Sequence, residues 1–238
     1  MSARRKLAVV GYGKMGRLIE QLAPQHDFEV VLRLDSKRNA NGAGISREAL
    51  ANVDAAIEFT TPDAAPLNLK RLADARIPTV AGTTGWLDHL GAVTRAVREN
   101  GTGLVWSPNF SIGVAMFRRL ASVAAELMSR QNDYDAWVWE IHHNAKKDAP
   151  SGTLHELLRT MEQSGYAKKI DISSNRAGKH PGTHEIGFDS AADTITLRHV
   201  ARSRDGFAQG ALKAAQWILD RKGVYTFDEV LFGKDERY

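Results

Sequence analysis

The stretch that decides the fold is KLAVVGYGKMG, residues 6–16. Its first half is a short apolar run typical of a buried strand, and its second half has the glycine spacing G-x-G-x-x-G. The residues that follow, 14–23, place Met15, Leu18 and Leu22 at helical spacing. A strand that runs into this glycine turn and then into a helix is the context in which the pattern binds a dinucleotide.

Each glycine of the turn has a distinct physical role. Gly11 permits the tight turn, Gly13 lets a pyrophosphate approach the backbone, and Gly16 lets the helix lie close to the strand. The start of the helix adds free amide donors and the positive end of the helix dipole. The candidate phosphate-binding residues are Gly11, Gly13, Lys14, Met15 and Gly16.

An acidic residue ends the second apolar strand, FEVVLRLD at 28–35. Asp35 lies 19 residues after Gly16, where its carboxylate can accept hydrogen bonds from an adenosine ribose, which favours NAD. Ser36, Lys37 and Arg38 follow, and the two cations can pair with a 2′-phosphate, which favours NADP, or can simply face solvent. Because the two signals conflict, we expect both NADH and NADPH to be used.

Strands and helices alternate through the first half of the chain. Further strands are expected at 53–62, 77–85 and 103–110, with helices at 64–75 and 88–100. This rhythm predicts an α/β fold with a Rossmann-like, doubly wound parallel sheet, whose ligands bind beyond the carboxyl ends of the strands. The turns at those ends hold further candidate cofactor residues, although each turn alone is also an ordinary loop: Phe59, Thr60, Gly82, Thr83, Thr84, Ser107, Asn109 and Phe110.

The rhythm changes after Pro108. The elements expected there are a helix, a strand, a helix and two strands, at 112–129, 134–143, 152–164, 183–190 and 193–203. Short turns between the strands predict a second, α+β domain with an antiparallel or mixed sheet. A last helix at 207–221 and a short tail complete the chain, so we expect one domain of residues 1–108 and 207–238 and another of residues 109–206.

The segment EIHHNAKKDAPSGT, residues 140–153, concentrates groups that bind anions and move protons. Neighbouring side chains on a strand point to opposite faces, so His142 and His143 enter one pocket only if the strand ends there. A lone histidine is more often structural, but Lys146 follows closely and can act as a proton donor. Lys147 is the rival donor.

A helix start follows these residues. Ser151 resembles an N-cap, after which Gly152 and Thr153 present free amides at the positive end of a helix. Helix capping is the simpler interpretation and holds in either case. With Lys146 beside those amides, the segment predicts a carboxylate-binding nest that carries a proton donor.

Composition excludes several classes of protein. The chain has 238 residues, a net charge of +4 and no cysteine, so disulfides, thiolate nucleophiles and cysteine-based zinc sites are excluded. The charge suits an acidic ligand and is too small to indicate nucleic acid. There is neither a bilayer-spanning apolar run nor a signal-peptide pattern, so we expect no membrane partner and a cytoplasmic protein.

A metal site is not expected either. His180 and His184 have a spacing seen in metal sites, but Pro181 and Gly182 make the intervening segment a turn, and no third ligand is evident.

The segment 140–153 resembles the defining motif of the dihydrodipicolinate reductase family, E-x-H-H-x-x-K-x-D-x-P-S-G-T. Other segments follow in the family's order, so the resemblance covers nearly the whole chain: GYGKMG, EFTTP, GTTG, SPNFSIGV, RAG, GTHEIGF and HVARSRDGFAQGALKAAQW. Two departures are Trp137, where the family often has an acid, and Leu154, where it usually has alanine.

The resemblance implies a two-domain, usually homotetrameric enzyme of the diaminopimelate route to lysine. It would use NADH or NADPH to reduce a cyclic imine dicarboxylate, the product of dihydrodipicolinate synthase, to tetrahydrodipicolinate. His142 and Lys146 would be the catalytic candidates, with Lys146 favoured as proton donor. The residues 109–206 would bind substrate and form the oligomer, and the substrate carboxylates would be held by His143, Lys146, Gly152, Thr153 and Arg204.

Two alternatives stay open. A related amino-acid or amine dehydrogenase would keep the first domain and change the pocket. A non-enzymatic NAD(H)-sensing protein would need the glycine turn but would have no use for Lys146 and Arg204.

Overall fold

A computed structural model of the protein describes residues 3–233, which form two compact units. The first unit contains residues 3–111 and 207–233, and the second contains residues 112–206. The last five residues of the expected first domain, 234–238, lie outside the described residues, as do residues 1 and 2.

A parallel six-stranded sheet with helices makes up the first unit. Its strands are β1 (Arg5–Val10), β2 (Phe28–Leu34), β3 (Ala55–Glu58), β4 (Thr79–Ala81), β5 (Gly103–Trp106) and β10 (Gly223–Thr226). Its helices are α1 (Lys14–Leu22), α2 (Ala65–Asp74), α3 (Leu90–Glu99), α6 (Asp205–Ile218, which enters the unit at Phe207) and α7 (Phe227–Phe232).

The strand order explains where ligands can bind in this unit. The strands lie in the order β10-β5-β4-β3-β1-β2, and every pair is parallel. Residues 7–10 of β1 are fully buried, as expected for a parallel sheet that is covered on both faces. The order reverses beside β1, so the turn after β1 lies at a topological switch point, where open α/β sheets bind ligands. The predicted doubly wound fold is confirmed.

The second unit is a mixed four-stranded sheet with two helices. Its elements are α4 (Ile112–Met128), β6 (Asp135–His142), α5 (Gly152–Gln163), β7 (Ile170–Arg176), β8 (Thr183–Asp189) and β9 (Thr194–Val200). The strand order is β7-β6-β8-β9, with β7 parallel to β6 and the other pairs antiparallel. The predicted mixed sheet is confirmed.

Alternation along β6 decides which side chains enter the core of the second unit. Ala136, Val138, Glu140 and His142 are buried, while the residues between them are partly exposed. The buried face packs in a core with side chains from α4, α5 and β8, including Phe117, Leu157, Met161, Ile186 and Phe188. Two polar residues, Glu140 and His142, therefore lie on the core face of a strand. Within residues 3–233, no helix combines the length and apolar content needed to cross a bilayer.

Two parts of the sequence prediction are wrong. The expected tail after residue 221 instead forms β10, which pairs with β5, and α7, which begins with a capping box between Thr226 and Glu229. The sequence did not predict β7, because IDISSNR is polar and largely exposed. Its pairing with β6 makes this segment a strand. Both strands are edge strands of their sheets, which need few apolar residues.

A close approach within the first unit provides a test of this packing. A Cβ added at Gly210 of α6 would lie 1.8 Å from the carbonyl oxygen of Phe110. Because the overlap involves backbone, Gly210→Ala should lower the free energy of unfolding by about 1–3 kcal/mol in urea titrations. The matched control is Gly91→Ala in α3, where an added Cβ meets no atom within 4 Å and should raise stability by up to about 1 kcal/mol. Equal stability of Gly210→Ala and the unchanged protein would contradict the packing.

Candidate active site

Two adjoining cavities open at the carboxyl ends of β1, β2, β3 and β4 in the first unit. Their volumes are about 530 and 420 Å³, and because both are lined by Gly11, Gly13, Phe59 and Thr60 they form one continuous depression, here called the glycine cleft. The cleft brings together most of the predicted cofactor residues: Gly11, Gly13, Lys14, Met15, Asp35, Ser36, Phe59, Thr60, Gly82, Thr83 and Thr84.

The glycine turn has the geometry that a phosphate group requires. Gly11 has a φ of +95°, and a Cβ there would lie 1.9 Å from the carbonyl oxygen of Phe59. A Cβ at Gly16 would lie 2.6 Å from the carbonyl oxygen of Gly11, whereas one at Gly13 would meet nothing within 4 Å. Within the described chain, no side chain caps α1 and no acid occupies its first turn. The helix amides therefore face an open, anion-compatible space, and the residues fit a dinucleotide.

The acid at the end of β2 is fixed by its own loop. Asp35 Oδ1 accepts hydrogen bonds from the amides of Lys37 at 3.0 Å and Arg38 at 2.8 Å. The Arg38 amide lowers the pKa of Asp35, so the carboxylate is charged at neutral pH. Asp35 lines the glycine cleft, whereas Lys37 and Arg38 do not line either cavity.

Other predicted cofactor residues lie behind the cleft lining. Gly16 lies at the helix–strand contact, and Ser107 Oγ donates to the carbonyl oxygen of Asn109 at 2.7 Å within its own turn. Phe110 is 1 % exposed and packs between the rings of Phe59, 6.3 Å away, and Phe227, 4.9 Å away. The turn 107–110 thus supports Phe59 and does not itself line either cavity.

A buried carboxyl group that was not predicted as a site residue lies beneath the cleft. Glu58 ends β3 with no exposed surface, and Thr60 donates to it from both its amide and its hydroxyl. The Asn68 amide group donates to Thr60 Oγ1 at 3.3 Å, and Asn39 donates to Asn68 at 2.8 Å. Burial raises the pKa of Glu58. The network joins the loop after β2 to the turn after β3. The acidic residue that begins EFTTP is the sequence feature that could have indicated Glu58.

A second missed residue lies in the glycine turn itself. The Tyr12 hydroxyl donates to Glu20 of α1, and Arg33 of β2 donates to the same carboxylate from Nε at 2.8 Å. The hydrogen bond from Arg33 lowers the pKa of Glu20. Tyr12 also lines the glycine cleft. The three side chains therefore hold the glycine turn against α1 and β2.

The second unit carries the residues of segment 140–153. His142 is the last residue of β6 and is 8 % exposed, while His143 follows the strand and is partly exposed. Lys146 Nζ donates to both carboxylate oxygens of Asp148 at 2.8 Å. The two histidines therefore differ in environment because the strand ends between them.

The start of α5 behaves as the sequence indicated. Ser151 is the N-cap, and its hydroxyl oxygen accepts a hydrogen bond from the amide of Leu154 at 3.2 Å. Gly152 is exposed, and a Cβ there would meet nothing within 4 Å, so the space beside this residue is open. Leu154, one of the two departures from the family motif, is fully buried in the core of the unit.

The carboxylate of Glu140 is the centre of a polar cluster in the second unit. Glu140 has no exposed surface and accepts hydrogen bonds from the Ser151 amide at 2.9 Å, Ser174 at 2.7 Å and Arg176 at 3.1 Å. His184 Nε2 lies 3.3 Å from its Oε2 atom. Burial by itself would raise the pKa of Glu140, but hydrogen bonds from His184, Ser151 and Ser174 outweigh burial and the pKa is lowered. Glu140 is therefore a buried anion.

Next to this anion, His142 is a neutral imidazole. Burial lowers the pKa of His142 to about 4, although the charge of Glu140 opposes the shift. The ring packs edge-on against that of His184, with centroids 5.1 Å apart. At pH 7 the His142 ring therefore holds no excess proton to give away.

Glu140, His142 and His184 also resemble a set of metal ligands, since one ligand atom from each lies within 4.8 Å of the others. His180 and His184 have a spacing seen in zinc sites, but the fold places His184 beside Glu140 and His142. Both Glu140 oxygens already accept hydrogen bonds, and the Arg176 guanidinium balances the carboxylate charge. The charge of the Glu140 carboxylate is thus neutralised without a metal ion, and we interpret the cluster as a hydrogen-bonded network.

The remaining predicted substrate residue, Arg204, is exposed and directly precedes α6. Among the described residues, no hydrogen bond or ion pair joins its side chain to the Glu140 cluster. Arg176 and His184, by contrast, belong to the cluster and were not predicted as site residues.

Comparisons with known proteins match both halves of the chain. A family model described as dihydrodipicolinate reductase, N-terminus, matches residues 5–110, and one described as dihydrodipicolinate reductase, C-terminus, matches residues 113–231. The 4-hydroxy-tetrahydrodipicolinate reductase of Christiangramia forsetii is 35 % identical over 94 % of this chain and 97 % of its own. That of Methanosarcina barkeri is 34 % identical over 92 % of this chain and 82 % of its own.

Solved structures add the fold. A dipicolinate-bound dihydrodipicolinate reductase from Paenisporosarcina sp. TG-14 superposes with a TM-score of 0.80 at 23 % identity, covering 94 % of this chain and 97 % of its own. An amine dehydrogenase from Mycobacterium smegmatis reaches a TM-score of 0.63 at 9 % identity, covering 94 % and 95 %, and so shares the fold alone. The family models span both units and the relatives span almost the whole chain, so this chain belongs to the dihydrodipicolinate reductase family.

Proposed function

We propose that the protein reduces the cyclic imine dicarboxylate made by dihydrodipicolinate synthase to tetrahydrodipicolinate, with NADH or NADPH as the reductant. The observation that carries the proposal is the second unit's combination of an ammonium group, Lys146, with an open helix start at Gly152. A cation beside the amides of a helix start suits a dicarboxylate. The dipicolinate bound by the Paenisporosarcina relative supports the same class of substrate.

The glycine cleft would hold the nucleotide. The amides at the start of α1 would take the pyrophosphate, and the charged Asp35 carboxylate would accept hydrogen bonds from the adenosine ribose. Phe59 and the turn at Gly82 would line the nicotinamide end. When bound, the reduced nicotinamide supplies a hydride to the electron-poor carbon of the imine.

The substrate carboxylates would be held by residues of the second unit. In the structure, both carboxylate oxygens of Asp148 accept hydrogen bonds from the Lys146 ammonium. A substrate carboxylate would use the same bidentate arrangement. The amides of Gly152 and Thr153, His143 and Arg204 would supply the remaining donors.

Lys146 is the proton donor in this proposal. Hydride addition leaves an anion or enamine that must gain a proton, and a positioned ammonium can deliver it. His142, with a pKa of about 4, is neutral at pH 7 and so lacks the proton that a donor needs. The role of His142 is therefore to shape the site next to Lys146.

An assay that supplies synthase product together with either nicotinamide tests the proposal. We expect oxidation of both NADH and NADPH, with kcat/KM values that differ by less than about 100-fold, because Asp35 favours one and the neighbouring cations the other. A larger preference would defeat the dual use of cofactors. Absence of oxidation with either nicotinamide would defeat the function, and activity confined to amines or amino acids would favour the related dehydrogenases.

The proton donor has its own test. Lys146→Ala should lower kcat by about 10²–10⁴-fold, the usual contribution of a positioned acid, while the KM for NADH changes little. The matched control is Lys147→Ala, because Lys147 is the next residue and is exposed. Near-normal turnover of Lys146→Ala, or a comparable loss in Lys147→Ala alone, would reassign the role.

We also propose that the protein forms a homotetramer through the open face of the second sheet. This face of β6 carries Trp137, Trp139 and Ile141, all partly exposed, and Val200 at the end of β9 is 50 % exposed. Apolar side chains on an uncovered sheet face favour association with other copies.

Light scattering on the purified protein checks the assembly. We expect four times the mass of the chain, and a smaller species for Val200→Lys, because a cation would be buried in the interface. The control is Val31→Lys on β2, a valine of similar exposure in the first unit at 39 %. A monomeric parent protein, or equal masses for it and Val200→Lys, would contradict the proposal.

The cytoplasmic location expected from the sequence stays a prediction.

A further inference from the structure

The register of the second sheet places four polar side chains in one row on its core face. Glu140 of β6 is opposite Ser174 of β7 and His184 of β8, and His184 is opposite His199 of β9. Directly opposite residues share a sheet face, so the row lies on the same side as Val138 and the helices. The strand pairing therefore delivers hydrogen-bond donors to Glu140 from both sides.

The same carboxylate closes the loop 143–150, which carries His143 and Lys146. Glu140 stands before the loop and accepts hydrogen bonds from the amide and hydroxyl of Ser151, directly after it. Arg176 donates both to Glu140 and to the carbonyl oxygen of Asp148 within the loop. Glu140 thus binds the residue that ends the loop, and Arg176 links the same carboxylate to Asp148 within the loop.

Glu140 also faces one particular edge of the His142 ring. His142 Nδ1 is fully buried and forms no hydrogen bond within residues 3–233, and Glu140 Oε2 lies 3.5 Å from it. The opposite edge points towards the Gly182 backbone, where an added Cβ would lie 3.0 Å from Nε2. A proton on Nδ1 would face the carboxylate, whereas a lone pair on Nδ1 would be repelled by it. In a neutral imidazole, the partner of one nitrogen decides which nitrogen bears the proton.

The charged and titratable groups that interact with the His142 ring come from several elements. They are Glu140 on β6, His184 on β8, Lys146 in the loop and Arg176 on β7. Glu140 supplies the negative charge in this set, and its Oε2 atom lies 3.5 Å from Nδ1.

We propose that Glu140 is a positioning residue for the reaction: anchored by Arg176 and His184, it holds the Lys146 loop against the start of α5 and keeps the proton of His142 on Nδ1. His142 then presents an unprotonated Nε2, which can accept a hydrogen bond but cannot donate a proton. The expected effect of Glu140 on turnover rests on the proposed reductase function. The location of the His142 proton on Nδ1 does not depend on that function.

Nitrogen-15 NMR of the histidine side chains at neutral pH reads that state directly. The unaltered protein should show His142 as the Nδ1–H tautomer, assigned by loss of its signals in His142→Gln. In Glu140→Gln, which keeps the shape and removes the charge, the Nδ1–H population should fall. Finding the proton on Nε2 in the unaltered protein would overturn the proposal, whether or not the enzyme turns over the proposed substrate and whether or not Glu140→Gln folds.

Kinetics supply the second arm. Glu140→Gln should lower kcat by about 10²-fold, the cost of a small misplacement of reacting groups, with the KM for NADH nearly unchanged. The matched control is Glu162→Gln, the same substitution at an exposed carboxylate of α5, which should retain kcat. Unchanged kcat and tautomer in folded Glu140→Gln would overturn the proposal. If Glu140→Gln does not fold, His184→Gln, which removes one anchor, should still lower kcat without raising the KM for NADH, and unchanged kcat there would overturn the proposal.

Discussion

A carboxylate with no access to water must be surrounded by donors, and this constraint organises the second half of the protein. Glu140 satisfies it with Ser151, Ser174, Arg176 and His184, which come from a helix start and two neighbouring strands. Removing one partner of such a group leaves a buried charge unbalanced, which is far more costly than losing a surface ion pair. The arrangement therefore fixes where β6 ends, where α5 begins and how the loop between them is held.

Division of labour between the two units follows from their sheets. The parallel sheet of the first unit has a switch point beside β1, where backbone amides and glycines can meet a nucleotide with little help from side chains. The mixed sheet of the second unit instead projects polar side chains into its own core face, next to a helix start. In the proposed function, one unit would offer backbone donors to phosphates, and the other would offer charges and amides to carboxylates. A dehydrogenase for a different substrate could retain the first and alter the second.

The sequence predicts the parts of this molecule that depend on local pattern. The glycine turn, the alternation of β6 and the Ser151 cap are visible because spacing and residue type alone specify them. Contacts between distant strands are not visible in this way. Arg176 and His184 reach Glu140 only through the pairing of β7 and β8 with β6, and β7 has too few apolar residues to be recognised by itself. The network at Glu58 is hidden for the same reason, since Asn68 of α2 donates to its partner Thr60 and Asn39, from another loop, donates to Asn68.

The proposed function requires that Lys146 and the first amides of α5 bind the carboxylates of the substrate. The most direct measurement is a crystal structure of the protein with NADH and dipicolinate bound together. The account predicts Lys146 Nζ and the amides of Gly152 and Thr153 within hydrogen-bonding distance of the dipicolinate carboxylates, with the ring of dipicolinate against the nicotinamide. Dipicolinate bound elsewhere, or Lys146 pointing into solvent with the nucleotide correctly seated in the glycine cleft, would contradict it.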